Sequence, residues 1–218
     1  MFSKNPLMSC VIIINSSSLC AYSKTSDGGA TWGSPVNVSA STDCFDIAVW
    51  YDAWTPTDNS GTKIHIAYTD VTADDVYYSS LDTSTDTLAG DINASAANQS
   101  PAFADAEGND DYLSITKGTD GDLYIGVTDA TDAFVIKCTT TCTTALNWTE
   151  AGTSPFDADG NDELILMPIA GGNIIAIVRD ASADDILSKV YSDSGAAWDS
   201  AWTTIDASAA EHTSHTSG

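Results

Sequence analysis

Four apolar runs, each leading through a short Asp/Ser/Thr turn into a second run, recur along this 218-residue chain: VIIINSSSLCAYSK, IHIAYTDVTADDVYYSS, LYIGVTDATDAFVIKC and IIAIVRDASADDILSKV. Aligned on Leu19, Val76, Phe134 and Leu187, they stand 57, 58 and 53 residues apart. A fixed period constrains a fold strongly, because each unit must be one supersecondary piece that buries its apolar face on the next. The turns TDVTADD, TDATDA and RDASADD are close to copies, and such turns between apolar runs read as hairpins. A weaker strand follows each hairpin: SPVNVSA, AGDINASA, NWTEAG and WTTIDASA. A further strand precedes three of them: CFDIAVWYD, DYLSITKG and ELILMPIA. No segment carries the period of a long amphipathic helix.

Four antiparallel strands per unit, repeated radially, make the blade of a β-propeller. The expected fold is therefore all-β: a propeller of about four four-stranded antiparallel blades, or a section of a larger one. It would form a single domain over 1–218, with repeats near 1–42, 43–100, 101–154 and 155–210. The first repeat lacks an innermost strand. The tail 211–218, EHTSHTSG, would close the ring, or identical chains would complete each other by self-association; His212 and His215 read as tail residues.

Composition agrees with strands and turns. Asp and Glu number 31 against 7 Lys and Arg, a net charge of −24, and 27 of the acids are Asp, a turn former. A surface of that sign repels nucleic acid and anionic membranes. No apolar run is long enough for a membrane-inserted helix. The first 23 residues fit the repeat better than they fit a signal peptide. The cysteines are Cys10, Cys20, Cys44, Cys138 and Cys142, an odd count that leaves one thiol over unless a partner chain supplies a mate. CTTTC can close across a hairpin turn, and Cys10 with Cys20 can do the same; no histidines stand at zinc-site spacing.

The turn TSDGGATW places Thr25, Asp27, Gly29, Thr31 and Trp32 in the pattern Ser/Thr-x-Asp-x-Gly-x-Thr-Trp. This resembles the Asp-box, or bacterial neuraminidase repeat, of sialidase-like propellers. YSDSGAAW in the last repeat is a worn copy, keeping Asp193, Gly195 and Trp198 but carrying Tyr191 and Ala197 at the hydroxyl positions. The two middle repeats have lost the box. The resemblance implies a structural turn at the rim, with Trp32 packed into the blade, and extracellular or surface glycan biology. Sialidase activity itself is not expected of this chain: the resemblance implies three arginines on the substrate carboxylate, and Arg179 is the single arginine.

Three further groups of residues bear on chemistry. Inner-strand carboxylates Asp43, Asp46, Asp110, Asp111, Asp162 and Glu163 are placed as a glycosidase would place its acid and base. The recurring loops DAEGNDD and DADGNDE suit Ca²⁺, with Asp157, Asp159, Asn161 and Glu163 the better oxygen set. Trp50, Tyr51 and Trp54 cluster in VWYDAWTPTDNSG, the longest insertion, where aromatic faces beside Asp and Asn suit a sugar ring. The leading expectation is a non-catalytic binding module for a glycan or surface partner. The alternatives are a glycoside hydrolase using inner-strand carboxylates and a structural subunit of a surface layer or virus particle.

Overall fold

The structure, a computed structural model, describes residues 9–40, 44–58, 60–70, 75–95, 112–128, 133–152, 163–180, 183 and 185–207. The fold is all-β. Strands β1 (Ser9–Ile14), β2 (Cys20–Thr25) and β3 (Val36–Asn37) form the first sheet. The second holds β4 (Cys44–Tyr51), β5 (Lys63–Asp70), β6 (Asp75–Asp82) and β7 (Thr87–Asn93). The third holds β8 (Tyr112–Lys117), β9 (Leu123–Thr128), β10 (Ala133–Cys138) and β11 (Trp148–Glu150). The fourth runs β12 (Glu163–Pro168), β13 (Ile174–Asp180), β14 (Asp185–Ser192) and β15 (Ala197–Trp198), with β16 (Thr203–Asp206) also on β14. Every pairing is antiparallel between sequence neighbours, β16 excepted, as the hairpin spacing predicts. The fourth sheet's outer strand is broken in two: β15 pairs at Tyr191 and Ser192, and β16 resumes further along β14 with a bulge.

Three cores lie between the four sheets, which pack in chain order. Cys20 and Tyr22 of the first sheet meet Ile66, Tyr68 and Leu81 of the second. The second sheet's opposite face, with Ala67, Val76 and Tyr78, meets Ile125, Val127, Ile136 and Trp148 of the third. Tyr124 and Val135, on the third sheet's far side, meet Leu164, Leu166, Ile174, Ala176 and Val178. Successive side chains on a strand point to opposite faces, so a sheet covered on both sides has runs that are apolar throughout. All six residues of β9, LYIGVT, are buried. This serial packing, with β8 neighbouring both β4 and β12, is compatible with a propeller section.

Cations join the sheets at recurring places. Asp86, in the turn between β6 and β7, pairs with Lys24 of the first sheet and accepts the Tyr22 hydroxyl at 3.0 Å. Asp193, in the turn between β14 and β15, pairs with Lys137 of the third sheet. The disulfides are Cys20–Cys44 and Cys138–Cys142, and Cys10 is free. The first ties sheet one to sheet two. Pairing of Cys10 with Cys20 is corrected by register: Cys10 lies opposite Lys24 and Cys20 opposite Ile14, at the two ends of one hairpin.

In the Thr25–Trp32 turn, Asp27 accepts the Thr31 N–H at 2.9 Å, the Thr31 hydroxyl at 2.6 Å and the Thr25 hydroxyl at 2.7 Å. The hydroxyls of Thr31 and Thr25, then the Thr31 N–H, hold this exposed carboxyl down at about 2. Gly28 and Gly29 take φ of 73° and 93°, which glycine alone adopts freely. Trp32 does not pack into the sheet as expected; it is 48% exposed. The outer strand that follows it is only two residues long, and both are exposed. Trp198 does pack: its ring lies 5.2 Å from that of Tyr191, and its indole N–H donates to the Ala151 carbonyl at 2.6 Å. Asp193 lacks the threonine donors and turns to Lys137 instead.

Candidate functional site

The site lies where β4 and β8 end. Past Tyr51 the chain makes a single 3-10 turn, Asp52–Trp54, and the Thr55 N–H donates to the Asp52 carbonyl at 2.9 Å. The Asp58 N–H donates to the Thr55 carbonyl at 3.0 Å, and the Asp58 carboxylate accepts the Ser60 and Gly61 N–H groups at 3.2 and 2.8 Å. These bonds fix the insertion as a built loop. Thr57, between them, has φ of 74°, a left-handed backbone that a β-branched residue rarely takes.

Beneath the loop is a buried polar knot. Asp52 accepts the Lys63 N–H at 3.0 Å, His65 Nε2–H at 2.9 Å and the Lys117 ammonium at 2.6 Å. Lys117 comes from the third sheet and also reaches Asp58 at 3.0 Å. A carboxylate only accepts, so the His65 proton is on Nε2, and Nδ1 accepts the Tyr78 hydroxyl at 2.7 Å. Burial pushes the Asp52 carboxyl up, but the hydrogen bonds from His65, Lys117 and Lys63 outweigh it and hold it well below the usual range. Burial lowers His65 more than Asp52 raises it, so the ring is neutral. For Lys117, burial lowers and its two carboxylate partners raise; the partners prevail.

Trp54 ends the 3-10 turn that Asp52 begins. It is 57% exposed and meets Trp50 at 5.9 Å and Tyr51 at 6.3 Å, both edge-on. Trp50 packs on the core between sheets two and three and donates its indole N–H to Thr55 at 2.9 Å. Of the three expected aromatics, then, Trp54 presents a ring and Trp50 supports it. The loop goes on into a pocket of about 250 Å³, lined by Thr55–Asp58 on one side and Lys117–Gly121 on the other. Pockets for drug-sized ligands run to roughly 300–1,000 Å³, so this one is smaller than those. Its two carboxyls differ. Lys117 holds Asp58 low. Burial, with Asp122 and Asp193 nearby, pushes Asp120 up.

The other expected residues are elsewhere or outside the described set. Asp43, Asp110, Asp111, Asp157, Asp159, Asn161, Asp162, His212 and His215 lie outside the described residues. Asp46 and Glu163 stand at the opposite ends of the inner strands from the pocket. Burial raises the Asp46 carboxyl. Glu163 accepts the Tyr112 hydroxyl at 3.2 Å and lies 3.7 Å from Arg179. A carboxylate group that sequence reading missed joins Asp120, Asp122 and Asp193, whose oxygens come within 4.8 Å of one another. The Lys137 ammonium already sits against two of them, 2.7 Å from Asp122. Asp52, His65, Tyr78 and Lys117 were also missed. The flagged insertion contains Asp52, and the scarcity of cations was the signal for Lys117.

No protein-family profile matches the chain, and no curated protein matches it. Solved structures of similar fold do. An ulvan lyase of polysaccharide lyase family 25, bound to -[GlcA(1-4)Rha3S]-, superimposes at TM-score 0.58 with 14% identity, over 94% of this chain and 54% of that one. A Hadza microbial sialidase gives 0.54 and 15%, over 83% and 39%. An exo-β-1,3-galactanase from Phanerochaete chrysosporium, solved with β-1,3-galactotriose, gives 0.53 and 12%, over 96% and 49%. At these identities the likeness concerns the fold. The chain spans roughly half the length of these structures, or less.

Proposed function

We propose that this chain is a glycan-binding module, secreted or surface-exposed, whose ligand stacks on Trp54 and places a ring edge in the adjoining pocket. One observation carries the reading: an exposed indole, braced edge-on by Trp50 and Tyr51, on the residue that precedes Thr55 in the wall of a pocket of hydroxyl, carboxylate and ammonium groups. Aromatic faces bury the apolar side of a sugar, and polar side chains read its hydroxyls. Similarity of fold to a lyase, a sialidase and a galactanase supports a glycan ligand. The Asp27 turn, with its threonine donors, supports an Asp-box origin. Two disulfides support an oxidising compartment. No helix among the described residues is long and apolar enough to cross a membrane.

The test is a glycan-array screen followed by titration of the best ligand against Trp54→Ala. Trp54 is exposed, so the variant keeps the wild-type unfolding midpoint while losing at least about tenfold in affinity, roughly 1.4 kcal/mol. Unchanged affinity would remove Trp54 from the site.

A second reading, glycoside hydrolysis, is favoured by the contrast between Asp58 and Asp120. A held-down and a pushed-up carboxyl in one pocket is how glycosidases separate base from acid. Release of reducing ends from a bound oligosaccharide, abolished by Asp120→Asn with binding retained, would establish it. No release from any bound glycan would leave binding alone.

A further inference from the structure

We propose that the pocket beside Trp54 takes an uncharged, hydroxyl-rich sugar residue and rejects uronates and sulfated sugars. This rests on the glycan-binding reading above and adds the ligand's charge class. Its ground is what the pocket walls offer. The polar groups are the hydroxyls of Thr55, Thr57 and Thr119, the carboxylates of Asp58 and Asp120, and the ammonium of Lys117.

Lys117 is the one cation among these lining residues, and it is already matched. Its Nζ lies 2.6 Å from Asp52 and 3.0 Å from Asp58. An incoming carboxylate or sulfate could take the remaining donor, but could form an ion pair of its own only by drawing the ammonium's charge away from Asp52, whose side chain is only 7% exposed. That would leave a buried carboxylate with His65 and one backbone N–H for company, a costly arrangement. The anion would also sit against Asp58 and Asp120, two groups of its own sign. The chain's net charge of −24 acts in the same direction at longer range.

A sugar hydroxyl meets none of these obstacles, because it both donates and accepts. The carboxylates accept its O–H. The threonine hydroxyls do either. An ammonium has three donors, of which the two aspartates take two. The left-handed backbone at Thr57 belongs to the same wall. Strain of this kind is kept where a shape is needed.

The experiment uses the whole chain in low salt. Its probes are neutral gluco-, galacto- and manno-oligosaccharides, with oligogalacturonate and sulfated galactan oligosaccharides of matched length. The best binders are titrated by calorimetry at low and high NaCl, on wild type and Trp54→Ala. The expected result is a neutral ligand bound at least about tenfold more tightly than its anionic counterparts. Its affinity changes less than about twofold with salt, and the Trp54→Ala variant weakens it. An anionic glycan bound more tightly than the neutral ones, and weakened by Trp54→Ala, overturns the charge assignment but keeps the glycan reading. Anionic binding that Trp54→Ala does not weaken places the ligand elsewhere and overturns both. Binding of neither class overturns the glycan reading, and this inference with it.

Discussion

Replacing Asp52 with Asn tests the knot that fixes the binding loop. The substitution keeps shape and volume but removes the charge. In the wild type one buried carboxylate accepts from Lys63 N–H, His65 Nε2–H and Lys117. The Asn amide offers one oxygen, and its NH₂ is turned against a donor whichever way it lies. Removing one partner of a buried charge network costs about 3–5 kcal/mol. Lys117 keeps Asp58, so the low end, about 3 kcal/mol, is expected here. Lys117→Met should cost a similar amount, because it strands Asp52. The double variant should cost well under the sum, with a coupling of about 2 kcal/mol in a double-mutant cycle.

Urea unfolding followed by circular dichroism reads all four corners. The pH profile gives an independent reading. The folded His65 is held neutral, below its unfolded value of about 6.5, so the unfolded chain gains a proton first and stability falls as pH drops below about 6.5. Asp52 is held low in the fold, so its contribution is present above about pH 4 and is lost on further acidification. His65→Gln should remove the first slope and leave the second. An Asp52→Asn cost below about 1 kcal/mol, or additive single variants, would refute the network.

Other predictions follow from packing. By the chain-entropy estimate, removing Cys20–Cys44, whose partners are 24 residues apart, costs about 3.4 kcal/mol, and removing Cys138–Cys142, 4 apart, about 1.9. Paired Cys→Ser variants compared by urea midpoint should keep that order. A β-carbon at Gly61 would fall 2.1 Å from Asp52 Cβ, so Gly61→Ala should cost about 1–3 kcal/mol and weaken glycan binding along with stability. Unchanged affinity would separate the loop from the site. On the fourth sheet, Ile165 and Met167 are 56% and 41% exposed opposite Ile177 and Ile175, on the face turned from the third sheet. Self-association through that face predicts a rise of mass with concentration in the micromolar range, suppressed by Ile165→Lys with Met167→Lys. A monomer throughout would count against it.

The sheets were legible because the hydrophobic period and turn composition are local. Each quoted run became a strand, down to the short Trp148–Glu150. The Cys138–Cys142 disulfide was legible from its spacing, but Cys20–Cys44 was not, because the choice between Cys10 and Cys44 as the mate of Cys20 depends on which residues face each other across β1 and β2. Trp32 and Trp198 occupy like positions in their turns, yet Trp32 is exposed and Trp198 packs against a core. For the site, the aromatic insertion stood out as sequence. Its foundation did not: Asp52 becomes the centre of a knot only because Lys117, 65 residues on, comes from the next sheet. Sequence reading placed its carboxylate chemistry at the start of the inner strands, whereas the pocket lies where they end.

The most direct measurement is a chemical-shift map of the ¹⁵N-labelled chain titrated with the tightest-binding neutral oligosaccharide. The account predicts that the largest shifts fall on the Trp54 indole N–H and on the backbone of Thr57, Asp58, Lys117 and Thr119. Shifts centred instead on Asp46, Tyr112, Glu163 and Arg179, at the other ends of the strands, would contradict it.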